Sequence, residues 1–363
     1  MKIRIERDQI ADAVAWVLRS VGSKATLPVL GGILVEASDG KISFSGTDLE
    51  IAGRAEIEGA VEQSGRAVLP GRLLNDILRS LPEGSVTIEA DAAQGKITGG
   101  AAEFTLRALP HEDFPAFQGL DAAVAGVLDA KQFLQAVGQV VRAASHDEAR
   151  PILTGVLIEI ADGKITLAAT DSYRLSVREL PWSGPSEPIR RVVPARALAE
   201  AARAADAESE VKLSLGESQA GVEAGGRRLT TRLIEGEFPN WRQLVPEDQP
   251  NKLTIDRETF AESVRRVGIL AQQGVPVRLE LGEGGVKLTA GTQDLGDAVE
   301  HVAASYAGQP NLVAFNPTYL SEGIAAIEGA EVVLGVRDGL KPAVMRAPGD
   351  ESFLYLLMPV RVS

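Results

Sequence analysis

Two stretches, TLPVLGGILVEASDGKISFSGTD (Thr26 to Asp48) and ARPILTGVLIEIADGKITLAATD (Ala149 to Asp171), align without a gap at a spacing of 123 residues. A third, PVRLELGEGGVKLTAGTQD (Pro276 to Asp294), has drifted but keeps Gly284-Gly285 and Thr292 at nearly the same offset. A period well above about fifty residues is too long for a solenoid unit and lets each copy bury its own core. Within each stretch, alternating apolar residues flank a turn. Asp39-Gly40 and Asp162-Gly163 are strong hairpin signals, because both central residues must accept positive φ.

Outward from the hairpins the copies still agree. Upstream, Asp8, Asp129 and Asp256 each precede apolar residues at helical spacing: Ile10, Val14, Val17, Leu18 and Val21; then Phe133, Leu134, Val137, Val140 and Val141; then Phe260, Val264 and Val267. Each Asp is expected to cap a helix with one core-facing side. Downstream, Pro70, Pro194 and Pro317 announce a second helix, where a missing N–H costs nothing in the first turn. Two copies close on Phe114-Pro115 and Phe238-Pro239, and linkers are expected near 118–126 and 246–252. The reading is α+β: three similar domains, 1–120, 127–246 and 250–363, each of two βαβββ-like halves.

Composition narrows the function. A chain of 363 residues suits two or three domains at about 100 to 200 residues each. With 45% hydrophobic and 24% charged residues it is of ordinary globular type, and no apolar run approaches the ~20 residues that span a bilayer. The N-terminus lacks a signal-peptide core, so a cytoplasmic protein without membrane partners is expected. The absence of cysteine removes thiolate chemistry. His111, His146 and His301 have no ligand spacing, and there is no Walker loop, GxGxxG or GxSxG motif. No catalytic residue, metal or cofactor is expected.

A net charge of −13 argues against phosphate binding at first sight. The six helical stretches, however, hold about eleven of the 37 basic and roughly ten of the 50 acidic residues, so the excess acid lies in sheets and loops. Helices facing inward would give a directional field although the sum is negative. Twelve helices at a spacing of ~9 Å, supplied by two chains, make a circle ~34 Å across. Subtracting one helix diameter of ~10 Å leaves a hole ~24 Å wide, enough for a duplex. Enclosure needs little affinity.

The motifs TLPVLGG, GTDLE, LPEG, ATDSYRL, EFPNW, FNPTYL and MPVR, in order along the chain, resemble the bacterial beta sliding clamps, the processivity subunits of DNA polymerase III. The resemblance implies a head-to-tail dimeric ring of six domains with helices lining the hole, no catalysis, loading by an ATP-driven clamp loader, and sliding on double-stranded DNA. It implies a partner-peptide pocket of Leu153, Thr170, Ser172, Tyr173, Arg174, Leu175, Pro239, Leu244, Asn316, Tyr319, Leu340, Pro342, Leu356, Met358, Pro359, Val360 and Arg361. The DNA polymerase III catalytic subunit, the clamp loader, other polymerases and repair proteins would insert short linear motifs there. The DNA-facing set comprises Arg19, Lys24, Arg72, Arg79, Arg142, His146, Arg150, Arg196 and Arg203, and the dimer contact pairs Phe104 and Leu106 with Arg266, Ile269 and Leu270. Tyr173 stands where the family often has His, Gln243 where it often has Arg, and Asp147 where a neutral donor is usual. The competing reading is a three-repeat peptide-binding adaptor that does not encircle DNA.

Overall fold

The computed structural model describes residues 1–22, 27–116, 124–185, 187–205, 209–271, 274–292 and 296–361. Its six α-helices are α1 (Arg7–Val17), α2 (Gly71–Ser80), α3 (Ala130–Val140), α4 (Ala195–Ala202), α5 (Arg257–Gly268) and α6 (Pro317–Ala326). The βαβββ order occurs six times, with one further short strand, Ala60–Gln63 and Ser305–Ala307, after the first such unit of the first and third copies. The hairpin signals hold: Asp39 and Gly40 have φ of 49° and 77°, and Asp162 and Gly163 have 51° and 71°.

The halves exchange their first strands. Lys2–Glu6 pairs with Ser85–Ala90 of the second half, and Gly65–Pro70 pairs with Gly32–Ser38 of the first. The same exchange joins Val124–Asp129 to Glu210–Leu215 and Ile189–Pro194 to Gly155–Ala161. In the third copy it joins Asn251–Asp256 to Glu331–Val336 and Asn311–Phe315 to Val277–Gly282. Every pairing is antiparallel.

The chain forms two compact units. The first holds Met1–Leu134, Ser183–Pro185 and Arg196–Leu233; the second holds Gln135–Trp182, Ser186–Ala195 and Ile234–Ser363. In the first, Ile51–Glu58 pairs with Arg227–Arg232 and fuses two four-stranded sheets into one of eight strands. In the second, Arg174–Pro181 pairs with Phe353–Leu357 and helps build a sheet of nine. The helices bury the apolar positions expected of them: Ile10, Val14 and Val17 of α1, and Phe260, Val264 and Val267 of α5. Each such side chain contributes about 1.5–3 kcal/mol by leaving water.

Three expectations change. Asp129 and Asp256 do cap α3 and α5, accepting from the backbone N–H of Gln132 and Thr259 at 2.8 Å each. The matching residue in the first copy is Glu6, whose longer side chain makes no cap bond, while Asp8 lies inside the first turn of α1. Pro70 and Pro194 end strands and precede their helices; only Pro317 occupies the first helical turn, with Asn316 as cap. The linkers are shorter than expected, because strands begin at Val124 and Asn251; residues 117–123 lie outside the described residues.

Candidate functional site

The site is built on a turn that the repeat writes twice. In the second copy, Thr170 Oγ1 donates to the carbonyl of Arg174 at 2.6 Å, and Asp171 Oδ1 accepts from the N–H of Tyr173 and Arg174 at 2.9 and 3.0 Å. In the first, Thr47 Oγ1 donates to the carbonyl of Ile51 at 2.9 Å, and Asp48 Oδ1 accepts from Glu50 and Ile51 at 3.1 and 2.8 Å. A short carboxylate that satisfies two successive amides pins the loop. The price is a left-handed residue inside it, Ser172 at φ 82° and Leu49 at φ 78°.

Arg174 is buried at the end of its turn. Its Nε donates to Asp171 Oδ2 at 3.0 Å, one terminal nitrogen bonds Glu322, and the guanidinium stacks 4.3 Å from the Tyr319 ring centroid. The Tyr355 hydroxyl sits 3.4 Å from the same nitrogen and donates to the Tyr319 carbonyl at 3.0 Å. Burial pushes the Tyr355 phenol up to about 12. Gly323 makes this assembly possible, since a Cβ there would lie under 3 Å from Met345 and Tyr355.

Beside this hub opens a cleft of about 500 Å³. Of the expected pocket residues, Thr170, Ser172, Arg174, Leu175, Leu244, Pro342, Leu356 and Met358 line it. The others do not reach its wall. Tyr173, Leu340 and Val360 are exposed, while Pro239 and Arg361 are solvated. Leu153 is buried in the 3-10 turn Pro151–Thr154 and its carbonyl accepts from Ser145. Asn316 caps α6, Tyr319 packs on Arg174, and Pro359 is half-buried. The sequence reading missed Val245, Pro246, Glu247, Arg337 and Lys341 as lining residues. The Asp338-Gly339 turn signal in RDGLKP could have marked the last two. The cleft and its surroundings concentrate exposed apolar side chains: Tyr173, Leu244, Leu340, Met358 and Val360, of which Leu340 is 67% exposed. Such clustering marks a binding surface.

The first unit has a counterpart of about 310 Å³ lined by Thr47, Leu49, Glu50, Ile51, Ala52, Pro115, Ala116, Gln219, Thr230, Thr231 and Arg232. It is predominantly polar.

The expected DNA-facing residues fall into two electrostatic groups. In the first unit Arg19 and Arg203 approach Glu200 at 3.4 and 2.8 Å, and Arg196 meets Asp48 at 3.0 Å. Arg72 and Arg79 are exposed on α2 and make no ion pair among the described residues. In the second unit Arg142 donates to the Gly138 carbonyl at 2.8 Å and His146 is exposed. Arg150 bonds Asp147 at 2.8 Å and Ser172 Oγ at 2.9 Å, and its guanidinium holds the Asp147 carboxyl below the ordinary range. Lys24 lies outside the described residues.

Of the dimer set, Phe104 and Leu106 are half-buried on Ala102–Arg107, and Ile269 is exposed beside a half-buried Leu270. Arg266 is occupied within the chain. It grips Glu300 at 2.6 and 3.1 Å, and Ser263 donates to the same carboxylate at 2.7 Å. Arg266 first, then Ser263, lower the Glu300 carboxyl to about 2.

Models of the DNA polymerase III beta subunit match this chain three times: the N-terminal domain at 1–118, the central domain at 127–240 and the C-terminal domain at 242–361. The chain belongs to the DNA polymerase III beta subunit family. It is a DNA sliding clamp, a non-catalytic processivity factor with the three-domain clamp fold. It is similar to the beta sliding clamp of Streptomyces coelicolor, 40% identical over 376 residues and spanning 100% of both chains. The beta sliding clamp of Bacillus subtilis is 30% identical over 99% of this chain and 100% of its own. The crystal structure of the DNA polymerase sliding clamp from Bacillus subtilis superposes at a TM-score of 0.95 with 28% identity, covering 100% of both. That of the Pseudomonas aeruginosa sliding clamp bound to griselimycin does so at 0.95 with 26% identity, again over 100% of both. No helix among the described residues of this clamp is long and apolar enough to cross a membrane.

Proposed function

We propose that two copies of this chain close head to tail around duplex DNA and tether the replicative polymerase through the cleft beside Arg174. One observation carries the ring. Twice within the chain an edge strand of one sheet pairs antiparallel with the edge of the next copy, Ile51–Glu58 with Arg227–Arg232 and Arg174–Pro181 with Phe353–Leu357. The series leaves Gly296–Ala303 of the third copy and Ala102–Arg107 of the first with one partner strand each among the described residues. An unpaired edge is a template for another strand, and a heterologous contact that repeats the same rotation closes a ring. Side chains agree with this. Counting from the aligned caps Asp129 and Asp256, Ile269 stands where the second copy has Arg142, and the 123-residue spacing puts Arg19 there in the first. Arginine suits a surface facing phosphate; exposed isoleucine suits a protein contact.

The arginines of the helices and their 3-10 extensions form the surface offered to DNA. Their ion pairs with Glu200 and Asp48 are exposed and worth about 0–1 kcal/mol each, so phosphates compete for them. The domains run 1–120, 127–246 and 250–363. The partners are the polymerase III catalytic subunit, the clamp loader and other polymerases and repair proteins carrying short linear motifs, all in the cytoplasm at the nucleoid.

The test is topological. Protein loaded on a nicked circular plasmid is retained as salt is raised and released on linearisation, whereas binding by phosphate contact falls steeply with salt on either form. Loss from the closed circle at high salt would favour a peptide-binding adaptor. Sedimentation as a monomer at working concentration would refute the paired edges.

A further inference from the structure

Three cations line the cleft beside Arg174, and they are not equivalent. Arg174 itself is buried between Asp171 and Glu322. Arg337 is exposed but reaches Asp248 at 2.8 Å. Lys341 is exposed and makes no ion pair among the described residues. Its backbone is nevertheless fixed, because Asp338 Oδ1 accepts from the N–H of Leu340 and Lys341 at 2.8 and 2.9 Å. A pinned turn thus presents an ammonium with no ion-pair partner among the described residues and then Pro342 at the wall of an apolar groove, directly after the exposed Leu340. In a chain of net charge −13, an uncompensated cation at such a place is a site for a partner's carboxylate. Glu247 lines the cleft from a different segment and also lacks an ion-pair partner among the described residues.

We propose that Lys341 is a specificity residue of this cleft. Among peptides with apolar anchors, it selects those carrying an acidic residue next to the anchor seated against Pro342, and Glu247 disfavours those whose acidic residue falls at its own segment. The proposal rests on reading the cleft as the partner-peptide site. Apolar anchors supply most of the affinity, while the charge sets the difference between competing peptides, which is what specificity is.

The experiment uses the full chain and two short fluorescein-labelled peptides with the same Leu and Phe anchors, one bearing Asp and the other Asn beside an anchor. Anisotropy titrations at low salt should show the Asp peptide binding about three- to fivefold tighter, the scale of one exposed ion pair. The preference should shrink with added salt. Lys341→Gln should abolish it, Lys341→Arg should keep it, and Lys341→Glu should turn it toward a peptide with Lys at that place. An Asp preference that survives Lys341→Gln overturns the proposal, as does none in the native chain. Met358→Ala separates the two levels. If it leaves both peptides bound as before, the cleft is not the site at all; if it weakens both equally while Lys341 variants change nothing, only the role of Lys341 fails.

Discussion

The cleft beside Ser172 and the cleft beside Leu49 share a Thr-Asp turn and a left-handed residue, yet their walls differ. Across the shared framework Arg174 matches Ile51, Tyr173 matches Glu50 and Leu175 matches Ala52. The strand registers add further pairs, with Leu356 against Thr230, Leu357 against Thr231 and Tyr355 against Leu229. Hydrogen-bonded backbone made the place twice, and side chains made only one of the two apolar and cationic. What the two copies share is the backbone geometry; what differs is the side chains set on it, of which Arg174, Leu175 and Leu356 line the one cleft and Ile51, Ala52 and Thr230 the other.

The largest contrast lies at the turn's last residue. Removing one member of a buried ion pair costs about 3–5 kcal/mol, and partly solvated Glu322 keeps Arg174→Ala near the lower end, ~3 kcal/mol. Chemical denaturation of that variant should show this loss. Ile51→Ala leaves an apolar cavity instead, worth about 2–4 kcal/mol. An Arg174→Ala variant as stable as the native chain would break the idea that the guanidinium is a structural hub. It also follows that Arg174→Ala is a poor probe of peptide contact.

Met358→Ala is the cleaner probe. Its side chain is 37% exposed at the wall of the cleft, so its loss should weaken a Leu/Phe peptide about tenfold, in line with anchor contacts of about 1–2 kcal/mol, while thermal stability hardly moves. Leu49→Ser, the matching intervention in the polar cleft, should leave the same affinity unchanged. Equal effects from both would erase the distinction between the clefts.

Alkaline pH offers a third handle. Because the folded Tyr355 phenol is raised from its ordinary 10.0 to about 12, its contribution to stability is complete below pH 10 and is lost as pH climbs through 12. Leu229 occupies the matching place in the first unit and cannot titrate. Hydrogen exchange over that window should accelerate around Tyr355 before it does around Leu229, and Tyr355→Phe should flatten the dependence. The smallest effect concerns strain. Leu49→Asn should raise stability by about 0.5–1 kcal/mol, since asparagine tolerates the left-handed region that leucine resists.

Local chemistry was legible in the chain; distant pairing was not. Asp39-Gly40 and Asp162-Gly163 announce their hairpins because positive φ is a property of the turn alone. The exchange of Lys2–Glu6 into the sheet of Ser85–Ala90 has no local signature, since an alternating strand fits either partner. Pro70 and Pro194 were placed one residue too far along, because a proline ending a strand and one starting a helix share the same φ. In the cleft, Leu244 and Met358 followed from the family resemblance, whereas Arg337 and Lys341 sit in a loop whose only signal is its turn.

The nine-stranded sheet has a mechanical corollary. Where Arg174–Pro181 is zipped to Phe353–Leu357, a pull across the junction loads five registered residue pairs side by side instead of peeling loose side chains. Such a seam is stiff. If two chains close the ring proposed above, elastic give would therefore gather at the joints between separate polypeptides, which no peptide bond crosses, and opening the ring would take the least work there.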